Sequence, residues 1–307
     1  MGRIELSRAR TFLNAGPPRS GTSAGTFRDE VETGDLVMDK TNGVLYVNEG
    51  TKASPYYTPV PYDQGPLFGV HSDFRDGVGK ALADTAASVQ LAGSGLRVFG
   101  QGIEVNGDSG LVVQSAGEGG QLGRLDATNE VDHLAAVGMP AGVMQPDQHG
   151  QLVIDVELTH VSAITLRSMF VGFVGTAADA LDPPVTYATT VATFVQADLA
   201  GMAFSVDLTD VDRIFALFDK GAAGSPQDLT ALGDTSVNIA AAGTEQRFRV
   251  EVFSDGDATF FIDKLEVVHQ PLAVDADEEL SPVLLLESTS TAAKSLDIRR
   301  IAMWANR

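Results

Sequence analysis

Residues 246–268 read Gln246-Arg-Phe-Arg-Val-Glu-Val-Phe253, Ser254-Asp-Gly-Asp257, Ala258-Thr-Phe-Phe-Ile262, Asp263-Lys264 and Leu265-Glu-Val-Val268. Phe248, Val250 and Val252 alternate with Arg247, Arg249 and Glu251, the period of a strand with one dry face and one wet face. Asp255-Gly256 is a turn dipeptide, because glycine tolerates positive φ and the Asp side chain bonds its own backbone. The chain then returns through Thr259 to Ile262, and Asp263-Lys264 reads as a second tight reversal. The stretch predicts a three-stranded β-meander.

Working outward, short β-prone runs recur between turn signals at 96–99, 103–105, 111–114, 152–158, 168–174, 187–195, 202–208, 213–218, 236–239, 283–287 and 296–304. Many short strands at this spacing, with scarcely any helical periodicity between them, predict an all-β chain built as an antiparallel β-sandwich or jelly roll. No internal repeat of fixed period is visible. Residues 78–91 carry Ala, Leu and Val at a spacing compatible with a short helix that Ser and Gly soon end.

The N-terminal part has a different texture. Arg3, Arg8, Arg10, Arg19 and Arg28 are opposed only by Glu5, and Gly16-Pro17-Pro18 and residues 20–25 favour irregular backbone. Such an arm reads either as a docking segment that orders on a partner or as a terminus with scattered charge. In residues 34–48, Asn42-Gly43 between two β-prone runs predicts a hairpin with a type I′ turn. Tyr56, Tyr57 and Val60 follow among Pro55, Pro59 and Pro61 as an extended closing segment. Two or three short strands bury too little to stand alone, so this unit has to pack on the main body, a neighbouring copy or another protein.

The 307 residues are 44% hydrophobic with 32 Gly and 13 Pro, which describes a globular, turn-rich chain with ample material for a core. No apolar run is long enough to span a bilayer, and the opening residues lack the apolar centre of a secretory signal. There is no cysteine, which removes disulfide and thiolate chemistry. The formal net charge of -20 makes free nucleic acid and anionic membrane poor partners.

The patterns that carry chemistry give little. Gly21-Thr-Ser-Ala-Gly25 matches the nucleophile-elbow spacing but lacks the strand before it and the helix after it. Gly79-Lys80 is not a phosphate-binding loop. His71, His133, His149, His160 and His269 form no metal-binding spacing, and His133 and His160 read as surface or cross-strand residues. Carboxylates cluster at Asp207, Asp210 and Asp212, at Asp255 and Asp257, and at Asp275, Asp277, Glu278 and Glu279; these suit either calcium or a solvated acidic loop. Glycosidase chemistry would need two carboxylates facing each other across a groove. Trp304 reads as a core or interface residue rather than a sugar platform. No catalytic residue, cofactor site or metal site is expected.

Two stretches carry a resemblance. Residues 34–60, Gly34-Asp-Leu-Val-Met-Asp-Lys-Thr-Asn-Gly-Val-Leu-Tyr-Val-Asn-Glu-Gly-Thr-Lys-Ala-Ser-Pro-Tyr-Tyr-Thr-Pro-Val60, resemble the short β module near the start of tailed-bacteriophage virion proteins. Residues 121–307 are similar to the concanavalin-like (lectin/glucanase, laminin-G-like) jelly rolls of phage capsid-surface and tail proteins, through residues 120–129, 152–158, 170–174, 247–262 and 296–304. The metal loop and acidic pair of some lectin and glucanase relatives have no match here.

The resemblance implies a non-enzymatic virion structural protein of capsid-decoration or head-fibre type, on the outer capsid surface. Its partners would be the major capsid protein and further copies of itself, a trimer by the symmetry of such lattices. A host-surface glycan is a further expected partner, with a tail or fibre receptor-binding module as the alternative role and a polysaccharide hydrolase as the weaker one. Four parts are expected: an anchoring arm over 1–30, a β-hairpin module over 31–62, a linker over 63–92 and the jelly roll over 93–307. Arg3, Arg8, Arg10, Phe12, Arg19, Phe27 and Arg28 are the candidate capsid-anchoring residues. Tyr46, Tyr56 and Tyr57 are the candidate oligomer or interface residues.

Overall fold

The computed structural model describes residues 10–60, 67–72, 80–81, 87–90, 96–100, 110–115, 121–127, 133–139, 144–161, 167–175, 183–221, 223–289 and 294–306. Two antiparallel sheets stack face to face. The nine-stranded sheet runs Leu265–Gln270, Ala258–Ile262, Glu245–Phe253, Gln151–His160, Lys294–Asn306, Gln121–Ala127, Gly110–Ser115 and Lys80–Ala81, with Leu67–Ser72 also paired to Lys294–Asn306. The eight-stranded sheet runs Asp234–Asn238, Arg213–Asp219, Leu199–Ser205, Arg167–Val174, Ser281–Ser288, His133–Gly138, Arg97–Gly100 and Ala87–Gln90. This is the all-β antiparallel sandwich expected from the sequence.

The main core lies between these sheets, where alternate residues of each strand meet. Leu152, Ile154, Val156 and Leu158 pack with Phe248, Val250 and Val252 from one side and with Met169, Val171, Phe173, Met202 and Phe204 from the other. Strand Lys294–Asn306 keeps its apolar residues inward only by changing phase. Leu296 and Ile298 face the core first, then Ile301, Met303 and Ala305. The register shifts between Glu157 and Leu158, which pair with Arg300 and Ile298, so Arg299 is the extra residue of a β-bulge.

Each sheet also has an outer face, and both outer faces are covered. A three-stranded sheet, Val185–Ala188, Val191–Phe194 and Pro226–Asp228, lies over the eight-stranded sheet. A second apolar core forms there from Phe170, Val174, Phe215, Leu217 and Val283 below and Val185, Phe194, Leu208 and Leu229 above. Over the nine-stranded sheet lies the N-terminal unit, a four-stranded sheet of Thr11–Asn14, Leu36–Asp39, Val44–Asn48 and Tyr57–Pro59. Its first two strands are parallel and the rest antiparallel. Its small core holds Val31, Val37, Val44, Tyr46 and Tyr57, flanked by Phe12 and Phe27.

The structure corrects several expectations. The described part of the arm packs within the chain and supplies an edge strand, Thr11–Asn14. The Asn42-Gly43 reversal is a four-residue loop in which Gly43 has φ 71° and the Asp39 carboxylate accepts from the N–H groups of Thr41 and Asn42, so the turn is not type I′. Strands Lys80–Ala81 and Ala87–Gln90 occupy part of the 78–91 stretch that suggested a helix. Strands Leu67–Ser72, Lys80–Ala81 and Ala87–Gln90 all pair within the sandwich, so it takes in much of the expected linker. The 187–195 run divides into two strands at Thr189, and the 103–105 run lies outside the described residues. His160, expected at the surface or cross-strand, pairs across to Leu296 and is fully buried against Phe204. The one helix among the described residues is Pro146–His149.

Candidate functional site

Arg249 and Glu251 belong to the face of the meander that reads as wet, yet they are 1% and 0% exposed. The N-terminal unit covers them. Asn48 folds its side chain back to accept the N–H groups of Gly50 and Tyr56, which turns the chain so that Tyr56 enters the sandwich surface. The Tyr56 ring meets Phe261 edge-on at 5.4 Å and has Arg249 over its face at 4.4 Å and Arg247 at 5.1 Å. Its hydroxyl donates to Asp155 Oδ2 at 3.3 Å.

Asp155 also accepts two hydrogen bonds from Arg247, at 2.7 and 2.5 Å, the forked geometry that makes such pairs strong. Burial works to raise the Asp155 pKa, and the hydrogen bond and charge of Arg247, with Arg249 and Arg300, leave it below its ordinary value. Arg249 donates to the Tyr57 carbonyl at 2.7 Å and lies 2.6 Å from Glu251 Oε1, a charge contact rather than a well-directed hydrogen bond. Its guanidinium also stands 5.3 Å from the Trp304 ring centre. Burial pushes Glu251 upward against the pull of Arg249, Ser20 and Gln151, whose amide donates to it at 3.1 Å.

Around this centre the contacts become more exposed. Arg19 bonds Asp255 at 2.7 Å and Asp257 at 3.4 Å while lying 4.3 Å over the Phe253 ring. The Glu266 carboxylate takes the N–H groups of Thr22 and Ser23, and the Ser23 hydroxyl at 2.5 Å. Gly21 has φ 109°, and a side chain there would strike Glu266 Oε2. The nucleophile-like spacing of residues 21–25 is therefore a docking loop whose serine serves a carboxylate. Lys264 bonds Glu49 at 3.0 Å.

The candidate anchoring residues are engaged within the chain. Arg10 forks onto Asp35 at 3.1 and 2.7 Å. Arg28 donates to the Thr22 carbonyl and stands 3.4 Å from Asp29. Phe12 and Phe27 pack at 5.2 Å. Tyr46, Tyr56 and Tyr57 are all buried, Tyr57 donating to the Thr26 carbonyl at 2.5 Å. Arg3 and Arg8 lie outside the described residues.

What the unit leaves open is the other face of its sheet. Leu13, Met38 and Leu45 align in one row across three strands, and Thr11, Leu36, Val47 and Thr58 in the next. Leu13 is 58% and Met38 39% exposed, Leu36, Leu45 and Val47 are half-buried, and Thr58 is buried. None of the seven side chains is charged.

Cavities open on the sandwich among the described residues. One of about 350 Å³ is lined by Glu157, Glu245, Gln246, Arg247, Asp263 and Lys264. Burial raises the Glu245 pKa, as do its hydrogen bond to Glu157 and the charge of that neighbour. The second cavity, of about 300 Å³, lies where the three-stranded sheet meets strand Arg213–Asp219. Among the described residues, no three of His, Cys, Asp and Glu are placed to hold a metal ion.

No protein-family model matches the chain, and no curated protein matches it. Solved structures do align. A protein of unknown function from Shewanella oneidensis MR-1 does so at 13% identity over 78% of this chain and 86% of its own, with a TM-score of 0.41. Peanut lectin aligns at 8% identity over 78% and 97%, with a TM-score of 0.44. A carbohydrate esterase of the Shiga toxin-encoding bacteriophage phi24B aligns at 13% identity over 69% and 91%, with a TM-score of 0.41. The sheet order and register described above, rather than these alignments, carry the fold assignment.

Proposed function

We propose that this chain is a non-enzymatic structural protein of a phage virion, seated on the outer capsid surface as a decoration or head-fibre protein with the sandwich turned outward. The observation that carries this reading is the uncharged outer face of the N-terminal sheet. Exposed contiguous apolar surface marks a protein contact. Residues 10–60 hold five basic and six acidic side chains, so the net charge of -20 lies almost wholly beyond them. A near-neutral, apolar-faced module on a strongly acidic body has one side suited to burial against another protein and one suited to water. The resemblance of residues 34–60 to a phage virion module supports the major capsid protein as the partner. A protein that binds only the assembled shell stabilises that shell by mass action.

Among the described residues, Arg10, Arg19 and Arg28 are committed to Asp35, Asp255, Asp257 and the Thr22 carbonyl, so the described part of the anchor in this reading is Leu13 and Met38. The test is saturable binding of the purified chain to capsids that lack it. Leu13→Asp with Met38→Asp is expected to weaken binding at least tenfold while leaving thermal unfolding nearly unchanged, since both side chains are exposed. Absence of binding by the unmodified chain overturns the capsid assignment. Unchanged binding by the variant overturns the anchor.

A further inference from the structure

We propose that the free edge of the N-terminal sheet, strand Thr11–Asn14, pairs with the same strand of a second copy across a twofold axis, joining two four-stranded sheets into one continuous sheet. The contact uses the edge of the sheet and leaves its outer face open, so it holds on or off a capsid.

Strand Thr11–Asn14 runs parallel to Leu36–Asp39, with Thr11 beside Leu36 and Leu13 beside Met38. The Arg10 carbonyl accepts from the Leu36 N–H at 2.8 Å and the Asn14 carbonyl from the Lys40 N–H at 2.9 Å. Main-chain groups alternate in direction along a strand, so Arg10, Phe12 and Asn14 turn theirs to this neighbour and Thr11 and Leu13 turn theirs outward. Among the described residues no strand lies beyond them. An open edge templates pairing with another chain unless a bulge, a charge or a proline blunts it. The sandwich edges Leu265–Gln270 and Asp234–Asn238 are blunted in this way, each by a register shift against its neighbour and by a carboxylate, Glu266 or Asp234. Thr11-Phe-Leu-Asn14 has none of the three.

The geometry selects a second copy as the occupant. In an antiparallel pair centred on Phe12, Thr11 and the partner's Leu13 exchange main-chain bonds, and Leu13 and the partner's Thr11 do the same. These are the residues whose groups face outward, so the strand is its own complement. The side-chain rows join as well, Leu45, Met38 and Leu13 running on into the partner's Thr11, Leu36 and Val47. Phe12, half-buried beside Phe27, meets the partner's Phe12 across the axis, where an aromatic pair is favourable. Arg10 falls opposite the partner's Asn14 with its charge held by Asp35 at 2.7 Å, so no like charges oppose each other. Two chains of net charge -20 repel, and residues 10–60, with five basic and six acidic side chains, are where that repulsion is least. The assembly is then an isologous dimer rather than the trimer that lattice symmetry suggests. So short an edge buries less than a standard interface, which makes the dimer weak in solution.

Sedimentation of the full chain in about 0.5 M salt, where the acidic bodies are screened, tests the proposal. A concentration-dependent dimer is expected, roughly tenfold tighter than in about 0.05 M salt. Thr11→Pro removes an outward N–H and leaves the bonds to Leu36–Asp39 in place; it should weaken the dimer about tenfold or more, with thermal unfolding close to that of the parent. The chain has no cysteine, so Phe12→Cys reads the register directly. Facing residues of a non-hydrogen-bonded pair lie about 4.5 Å apart, within disulfide reach. Under oxidised glutathione Phe12→Cys should form a covalent dimer about tenfold faster than Leu265→Cys, a site 61% exposed on the sandwich edge. Capsid binding by Thr11→Pro through Leu13 and Met38 should persist, so loss of the dimer and loss of the capsid contact read separately. A monomer at about 1 mM in high salt, a trimer, a dimer indifferent to Thr11→Pro, or crosslinking of Phe12→Cys no faster than that of Leu265→Cys overturns the assignment.

Discussion

The sandwich wears two covers, and they are held on by different physics. The three-stranded sheet is fastened to the eight-stranded sheet by apolar side chains, Phe170, Phe194, Phe215 and their neighbours. The N-terminal unit is fastened to the nine-stranded sheet by Tyr56, Arg247, Asp155, Arg249 and Glu251. Apolar contact is non-directional and tolerates sliding. A buried ionic centre is satisfied in one geometry only, because each misplaced partner leaves a charge desolvated. The unit that carries the proposed capsid-facing surface is thus the one whose orientation on the body is fixed by charge.

The largest effect that would break this contrast is at Arg249. Arg249→Met leaves Glu251 buried without its cation, and a loss of about 3–5 kcal/mol in denaturant unfolding is expected. Adding Glu251→Gln should return part of that loss, because it removes the orphaned charge. Near-parental stability of the single variant would mean the ionic centre contributes nothing net. On the apolar side, Phe194→Ala should cost about 3–4 kcal/mol through lost burial and the cavity left behind, with no dependence on pH beyond that of the parent. A steeper pH dependence in that variant would contradict the assignment of this cover to packing alone.

Acid sharpens the comparison. His160 titrates near 3 in the fold, through burial first and the Arg167 charge second, against about 6.5 in the unfolded chain. Below 6.5 the unfolded state takes up a proton that the fold refuses, so stability falls with pH, by roughly 3 kcal/mol at pH 4.5. Asp155 has a depressed value, so its contribution is complete above the unfolded value of about 3.9 and is lost only as pH falls further. Glu251, with a raised value, works in the opposite direction on acidification. The difference in stability between the parent and His160→Gln should therefore narrow from pH 6.5 to 4.5. A constant difference across that range would show that His160 does not titrate there.

Much of the fold is written in local pattern. The meander is found with both reversals in place, and Asp263 and Lys264 each hold positive φ. What alternation reveals is which face of a strand is polar. It does not reveal that residues 19–57 come to lie on that face, since Tyr56 and Arg249 are separated by nearly the whole sandwich in sequence. Arg247, Arg249 and Glu251 consequently read as solvated. The one local sign was the crowding of Pro55, Tyr56 and Tyr57, large rings in a unit too small to bury them. Strands Leu67–Ser72, Gln121–Ala127 and His133–Gly138 were harder to see, because glycine, histidine and charged residues interrupt their apolar period.

Strand Lys294–Asn306 lies in the interior of its sheet, bonded on one edge to Gln151–His160 and on the other to both Gln121–Ala127 and Leu67–Ser72. A ribosome therefore synthesises both neighbours long before the strand that joins them. Until residue 306 clears the exit tunnel, the nascent chain presents two half-sheets with open edges, the situation in which slow non-local pairing and mispairing between neighbouring chains compete. The order of synthesis thus leaves the pairing of the whole nine-stranded sheet to its last strand.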